Sequence, residues 1–174
     1  MLNKSGLENL TFLVCLKNRT HVTKRLINYL NKIDYKINLF FADGGDINQE
    51  DFIQKLSSNH KSAYKKFSYD FDFLCYANKI YQSLKLINTK YVAIMDSDDF
   101  LNFDSAYKHL KFLEKNPKFV TSTGKIINFN LIDNKEVQLI AQQYFQDKEV
   151  NFQENFKFVD FSSWQGVHLT KRLL

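Results

Sequence analysis

The chain has 174 residues, of which 44% are hydrophobic and 25% charged, with a formal net charge of +5. One proline and five glycines exclude a disordered or low-complexity chain, and the length suffices for one domain with a full core. The excess of basic residues suits an anionic partner. The sequence has no long block of lysine and arginine, so it does not predict nucleic-acid binding. No signal-peptide core and no apolar run near the ~20 residues of a membrane helix occurs, so we expect a cytoplasmic protein without a transmembrane segment.

The first half of the chain alternates apolar runs with amphipathic segments. The run Leu10–Leu16, LTFLVCL, is short and continuously apolar, which is typical of a buried parallel strand. Apolar periodicity then predicts a helix over residues 21–33, and residues 37–42 predict a second buried strand. A further helix is expected over residues 49–57. This β-α-β-α order predicts a parallel sheet with right-handed crossovers.

The middle of the chain predicts another strand, helix and strand. Residues 64–69 are expected to form a short strand, and residues 91–95 a buried one. Between them, residues 73–87 have the spacing of an amphipathic helix. Its inward face is expected to hold Leu74, Ala77, Tyr81, Leu84 and Ile87.

The last elements follow a polar turn. Asp104 is expected to cap a helix over residues 105–116, which Pro117 ends. A strand is expected over residues 119–123, followed by a hairpin with strands at 125–131 and 137–141. Since no repeat or linker interrupts the chain, we expect a single domain over residues 1–174.

The strongest chemical signal is the segment YVAIMDSDDF, where an apolar strand delivers three carboxylates within four residues. In open α/β sheets, ligands bind beyond the carboxyl ends of the strands. Crowded carboxylates repel one another, and a divalent cation makes such a cluster favourable. The segment therefore predicts a site for a metal-chelated phosphate ester, with a solvated helix-capping loop as the alternative.

Polar residues also follow the first two predicted strands. Asp43-Gly44-Gly45 ends the second strand; it is either a ligand-binding carboxylate or a simple turn whose glycines permit positive φ. Arg19, after the first strand, either contacts phosphate bidentately or is an exposed loop arginine. Three polar sites at the ends of three strands together favour a nucleotide site.

The order of these motifs resembles glycosyltransferase family 2. The similar segments are FLVCLKNR, Asp43-Gly44-Gly45, YVAIMDSDDF and KFLEKNPKFVTSTG. They cover a donor-binding half at about residues 10–132, and QGVHLTKRLL is weakly similar to part of the acceptor region expected at 133–174. The resemblance implies an α/β fold of the GT-A type, a three-layer sandwich with a central, mostly parallel sheet.

The resemblance also implies an activity and residue roles. A sugar would pass from a UDP- or GDP-type donor to a hydroxyl of a glycan or lipid-linked acceptor, with inversion. Asp43 would bind the base, and Arg19 and Asn78 would lie near the nucleotide. Asp96 would contact ribose or the metal, and Asp98 would coordinate Mn²⁺ or Mg²⁺. Peripheral contact with the inner face of the membrane is compatible with such an acceptor.

Three departures from the family pattern concern the donor base. Cys15-Leu16-Lys17 stands where the usual Pro-Thr-Tyr follows the first strand, so the aromatic that commonly faces the base is missing. Ala42 replaces the first Asp of the frequent Asp-Asp-Gly-Ser, and Ala77 stands where an Arg precedes Asn78. The family's catalytic base lies in the acceptor half, beyond the end of this sequence, so a truncated, non-catalytic nucleotide-sugar-binding chain is one alternative. The other is a Mg²⁺-dependent phosphatase of the haloacid dehalogenase type, with Asp96 as nucleophile and Asp98 as acid.

Overall fold

The computed structural model describes residues 5–123 and three further strands at 126–132, 136–143 and 168–171. In chain order the elements are β1 (Leu10–Leu16), α1 (Thr20–Leu30), β2 (Asn38–Asp43), α2 (Glu50–Ile53), β3 (Lys61–Lys66), α3 (Phe73–Leu86), β4 (Tyr91–Asp96), α4 (Phe103–Lys115), β5 (Thr121–Thr123), β6 (Ile126–Ile132), β7 (Glu136–Gln143) and β8 (His168–Lys171). None of the helices in these ranges is long and apolar enough to cross a membrane. The contacts divide the chain into two units, residues 1–122 with 167–174, and residues 123–166.

A six-stranded sheet of order β3-β2-β1-β4-β8-β5 organises the first unit. β1 pairs in parallel with β2 and β4, β3 pairs in parallel with β2, and β8 runs antiparallel to β4. The register sets Leu16 opposite Asp43 and Cys15 opposite Asp96. The carboxyl ends of β1, β2 and β4 therefore meet at one edge of the sheet.

Helices cover both faces of this sheet. Phe12 and Val14 of β1 pack in a buried cluster with apolar residues of α1 and α4. The intervening Leu13 belongs to a second cluster, against which Ile80 and Leu84 of α3 pack. Alternate side chains of a strand point to opposite faces, so β1 is apolar throughout because both faces are covered. The predicted α/β three-layer sandwich with a mostly parallel sheet is confirmed.

The second unit contains an antiparallel hairpin formed by β6 and β7, with a register shift between Asn128 and Phe129. The hairpin predicted near residues 125–141 is confirmed. Most of the expected acceptor region, at 144–167 and 172–174, lies outside the described residues. The expectation that residues 1–174 form a single domain stays a prediction.

Two elements differ from the predicted ones because apolar periodicity does not mark them. β3 covers Lys61–Lys66 rather than residues 64–69, and its first three residues are exposed. Its backbone pairing with β2, rather than burial, defines this edge strand. α2 is a short helix of four residues, Glu50–Ile53, and not the expected helix over 49–57.

The predicted inward face of α3 is wrong in part. Leu74 and Tyr81 are 75% and 56% exposed, whereas Lys79 and Ser83 are buried. Ser83 donates to the Lys79 backbone carbonyl at 2.7 Å, and Lys79 has buried ionic partners described below. A buried polar residue with satisfied hydrogen bonds escapes a reading based on hydrophobicity.

The predicted cap of α4 is also wrong. The side chain of Asn102 accepts the Ser105 N–H at 3.0 Å and caps a helix over Phe103–Lys115. Asp104 lies inside the first turn and accepts a hydrogen bond from the Tyr35 hydroxyl. The carboxylate near the helix N-terminus is still favourable for the helix dipole.

Candidate functional site

Three polar turns lie at the sheet edge where β1, β2 and β4 end. We call them the β1 turn (residues 17–19), the β2 turn (43–47) and the β4 turn (96–99). The parallel register brings them together, because Leu16 and Cys15 lie opposite Asp43 and Asp96, respectively. The three sites inferred separately from the sequence are thus neighbours in the structure.

The β2 turn is held by the carboxylate of Asp43, which is completely buried. Its Oδ1 accepts the Gly45 N–H at 2.9 Å, and its Oδ2 accepts from the Tyr64 hydroxyl at 2.6 Å and the Lys66 Nζ at 3.2 Å. Burial, followed by the bond to Asp43, raises the pKa of Tyr64. The chain itself therefore satisfies this carboxylate.

Asn18 joins the β1 turn to the β2 turn. It has a positive φ of 54°, and its Oδ1 accepts the N–H groups of Asp46 at 2.6 Å and Ile47 at 3.1 Å. A Cβ on Gly45 would lie 2.4 Å from this Oδ1. The positive φ expected at Gly44 and Gly45 is absent; Gly45 is required because Asn18 approaches so closely.

The β4 turn is joined to the β1 turn by an ion pair between Asp98 and Arg19. The guanidinium donates to both carboxylate oxygens, at 2.7 and 3.1 Å, in the bidentate geometry that arginine also uses for phosphate. Arg25 donates to the Asp98 backbone carbonyl at 3.3 Å. Partial burial is the largest influence and acts to raise the pKa of Asp98, but the hydrogen bonds from Arg19, a backbone hydrogen bond and the charges of Arg19 and Arg25 together outweigh it, so the pKa is lowered.

The pKa values of Asp96 and Asp99 are raised, whereas that of Asp98 is lowered. The side chain of Asp96 reaches solvent, yet the surrounding chain restricts its hydration. This desolvation, and then the negative charge of Asp98, raise the pKa of Asp96. Desolvation also raises the pKa of Asp99, with smaller contributions from Asp96 and Asp98. A positively charged ligand at this turn would relieve that repulsion.

A cavity of about 320 Å³ opens between the β1 turn, β4 and α3. Its wall combines cationic, acidic and aromatic side chains with one buried thiol. The lining residues are Cys15, Leu16, Lys17, Arg19, Asp70, Phe71, Asp72, Phe73, Tyr76, Lys79 and Asp96. Burial raises the pKa of Cys15 to about 11, so its thiol stays protonated near neutral pH. The wall offers charges for phosphates and flat apolar faces for a ring.

The cavity contains two of the residues predicted for the nucleotide. Arg19 and Asp96 line it, and Asp98 is bound to Arg19 at its border. Asp43 is buried and is not among the lining residues. Asn78 is exposed on α3, where its Oδ1 accepts a hydrogen bond from Gln82 at 3.4 Å, and it does not line the cavity either. The base-binding and nucleotide-binding roles of Asp43 and Asn78 stay predictions.

Sequence reasoning missed a buried ion pair at the cavity, formed by Asp70 and Lys79. Their side chains are 5% and 1% exposed. No motif surrounds Asp70, and a lysine within an amphipathic helix is normally assigned to the exposed face. The sequence feature that could have drawn attention to Asp70 is the segment 69–73, where aromatic and acidic residues alternate as Tyr-Asp-Phe-Asp-Phe.

The residues of the β4 turn fit a divalent metal that takes further ligands from phosphate. Asp96 and Asp98 supply carboxylate oxygens, which Mg²⁺ and Mn²⁺ prefer, and their mutual repulsion favours a cation. Within the described ranges, no group of three or more His, Cys, Asp or Glu side chains is placed to hold a metal. Mg²⁺ bound by one or two carboxylates and substrate phosphates needs no such group.

Comparisons with known proteins point to one family. The family model described as Glycosyl transferase family 2 matches residues 11–166. Among curated proteins, no significant match is found.

Solved structures give weaker likenesses. Residues 1–349 of S. aureus TarS match with 19% identity and a TM-score of 0.44, covering 62% of this chain and 33% of that chain. TarS 1–349 in complex with UDP-GlcNAc matches with 15% identity and a TM-score of 0.46, covering 62% and 32%. A CMP:2-keto-3-deoxy-manno-octonic acid synthetase complexed with CTP matches with 6% identity and a TM-score of 0.47, covering 93% and 73%. This chain matches about a third of the length of the TarS fragments, and the family assignment rests on the family model.

Proposed function

The chain belongs to glycosyltransferase family 2, and from this premise we propose that its cavity binds the nucleoside diphosphate of a metal-chelated sugar donor. The proposed reaction transfers the sugar, with inversion, to an acceptor hydroxyl of a glycan or lipid-linked molecule. The family also decides against the phosphatase alternative for the Asp96–Asp98 pair. The donor is expected to be of the UDP or GDP type.

One observation carries the proposal: Asp96, which begins the β4 turn, and Arg19 line the same cavity. Its volume of about 320 Å³ lies within the ~300–1,000 Å³ of typical small-ligand sites. Arg19 and Lys17 place positive charge on its wall, which favours a diphosphate. Asp96 supplies an acceptor for ribose hydroxyls or a ligand for the metal.

The Arg19–Asp98 ion pair suggests how a donor would be received. Arg19 presents its guanidinium bidentately, and the pair is about half exposed, so it exchanges partners at little cost. We expect Arg19 to turn to a phosphate and Asp98 to the metal when the donor binds. Both charges would then remain paired, because the ligand and its cation replace each lost partner.

In the proposed reaction the acceptor oxygen attacks the anomeric carbon as the bond to the diphosphate breaks. A carboxylate that remains to be identified removes the hydroxyl proton. Mn²⁺ or Mg²⁺ held by Asp96 and Asp98 would supply positive charge to the leaving diphosphate. The contribution of Arg19 and Lys17 is to bind the phosphates and stabilise their growing negative charge.

The test is a thermal-shift and calorimetric panel of UDP, GDP, UDP-sugars and GDP-sugars, each with and without Mn²⁺. We expect stabilisation by at least one of these nucleotides when metal is present, since a ligand that binds the folded state raises its stability. The Asp98→Ala variant should lose the effect because it removes a metal ligand. Asp51→Ala is the matched control, since Asp51 is an exposed carboxylate of α2 outside the cavity.

Each outcome of the panel bears on the proposal. Metal-independent binding, or no binding by any nucleotide, would overturn the donor site. Equal loss in Asp51→Ala would assign the effect to surface charge. Binding by wild type without release of UDP or GDP from its sugar, in water or with simple acceptors, would favour the non-catalytic alternative.

A further inference from the structure

The buried ion pair between Asp70 and Lys79 forms part of the cavity wall. Lys79 Nζ donates to Asp70 Oδ2 and to the Leu16 backbone carbonyl at 3.3 Å. An ammonium has three donors, and these bonds use two of them. A buried pair of this kind is costly unless its remaining hydrogen-bonding groups find partners.

One carboxylate oxygen of Asp70 has no such partner. Oδ1 is buried and receives no hydrogen bond from any described residue. Buried polar atoms are normally hydrogen-bonded, and an exception calls for an explanation. Because Asp70 lines the cavity, a ligand bound there can bring the missing N–H donor.

The backbone fixes Asp70 beside the β2 turn. Its N–H donates to the Gly44 carbonyl at 2.9 Å. A Cβ on Gly44 would lie 2.3–2.4 Å from the carboxyl atoms of Asp70, so a glycine is needed for this approach. Asp43 accepts three hydrogen bonds from its own chain and does not line the cavity, whereas Asp70 lines it and keeps one oxygen without a partner.

Aromatic side chains surround the same part of the cavity. Phe71 and Phe73 line it and are 81% and 56% exposed. Tyr69 meets the Phe71 ring edge-on, with a centroid distance of 4.9 Å. Exposed aromatic faces next to a buried acceptor suit a planar heterocycle that stacks and donates a hydrogen bond.

We propose that Asp70, positioned by Lys79 and Gly44, reads the base of the bound nucleotide and selects bases that present an N–H beside a carbonyl. Uracil and guanine have this edge: the N–H donates to Asp70 and the carbonyl accepts from Lys79. Cytosine and adenine present a bare ring nitrogen at the corresponding position, which a carboxylate repels. The inference rests on the proposed nucleotide site and adds its base selectivity.

The test compares the affinities of UDP, GDP, CDP and ADP, with Mn²⁺, for wild type and Asp70→Asn. Wild type should prefer UDP or GDP. Asn can donate its amide N–H to a ring nitrogen, so the variant should bind the preferred nucleotide about tenfold to a hundredfold more weakly and shift its preference towards CDP or ADP. The matched control, Asp51→Asn, should retain wild-type selectivity because Asp51 lies on α2 outside the cavity.

Two companion variants address folding. Asp70→Asn leaves the Lys79 charge buried, so the double variant Asp70→Asn with Lys79→Met removes both charges and should also lose the preference. Gly44→Ala leaves Asp70 intact but displaces its carboxylate, and should weaken UDP or GDP selectively. Thermal melting of each variant establishes that the nucleotides meet a folded protein.

The outcomes separate the two proposals. Equal weakening of all four nucleotides by Asp70→Asn, or unchanged selectivity in both folded single variants, overturns base reading by Asp70 while the nucleotide site stands. Failure of wild type to bind any of the four nucleotides overturns the proposed function and this inference with it. A preference of wild type for CDP or ADP also contradicts the inference.

Discussion

The β2 and β4 turns begin from the same sequence signal, an aspartate at the end of a buried parallel strand, but use it differently. Asp43 is fully buried and accepts three hydrogen bonds from its own chain. Asp96, at the end of β4, is exposed and lines the cavity, and Asp98 two residues later is 44% exposed and paired with an exposed arginine. An aspartate in this position therefore marks either a structural carboxylate or one available to a ligand.

Sheet order explains the difference. β3 continues along β2 to its end, with Lys66 opposite Asp43, so Tyr64 and Lys66 can cover that carboxylate. The register of β4 with β8 runs from Tyr91 to Ile94 and stops before Asp96. The end of β4 thus extends past β8, although β1 still lies opposite Asp96, and on the β8 side no strand covers the β4 turn within the described residues.

The largest expected loss of stability comes from removing the buried carboxylate of Asp43. Asp43→Ala leaves the Tyr64 hydroxyl and the Lys66 ammonium without their shared acceptor, and should lower the free energy of unfolding by about 2–4 kcal/mol. Asp98→Ala removes an exposed pair and should cost about 1 kcal/mol or less. Urea denaturation measures both, and equal losses would erase the distinction between the turns.

A smaller loss of stability is expected from replacing Asn18, which joins the β1 turn to the β2 turn. Asn18→Ala removes the acceptor of two N–H groups and puts alanine at a φ of 54°, with an expected loss of about 2 kcal/mol. Asn18→Gly removes the same bonds but tolerates that φ, so it should cost less. If the two variants have the same free energy of unfolding in chemical denaturation, backbone strain contributes nothing at this position.

The smallest expected effect is the pH dependence of the stability that the carboxylates of the β4 turn contribute. The pKa of Asp96 is raised above its ordinary 3.8, so the folded chain binds its proton more tightly than the unfolded chain. Its contribution to stability therefore falls as pH rises through the raised pKa, and is unfavourable at neutral pH. Asp96→Asn should slightly stabilise the protein at neutral pH.

That gain should disappear below the ordinary carboxyl pKa of 3.8, where Asp96 is protonated in both states. Asp98 should behave oppositely: its lowered pKa contributes stability above the ordinary value, which is lost as pH falls through the folded value. Unfolding free energies measured across this pH range test both signs. Destabilisation by Asp96→Asn at neutral pH would contradict the assignment.

Much of the fold was predictable because burial on two faces leaves a clear pattern. β1 was predicted at its observed bounds, and β2 and β4 within one residue, since continuous apolar runs are required there. β3 was misplaced and the buried face of α3 was misassigned, because an edge strand and a buried lysine carry no apolar pattern. For the site, the carboxylate turn and Arg19 were predictable from the positions of strand ends.

The sequence by itself determined the order of strands and helices, the family and the three polar turns that follow strands. It could do so because each depends on local periodicity or on short motifs. Tertiary structure decided which carboxylate accepts hydrogen bonds from its own chain and which remains available to a ligand. It also brought Asp70 and Lys79 together beneath Gly44, because hydrogen-bond partners and close approaches arise when distant segments pack.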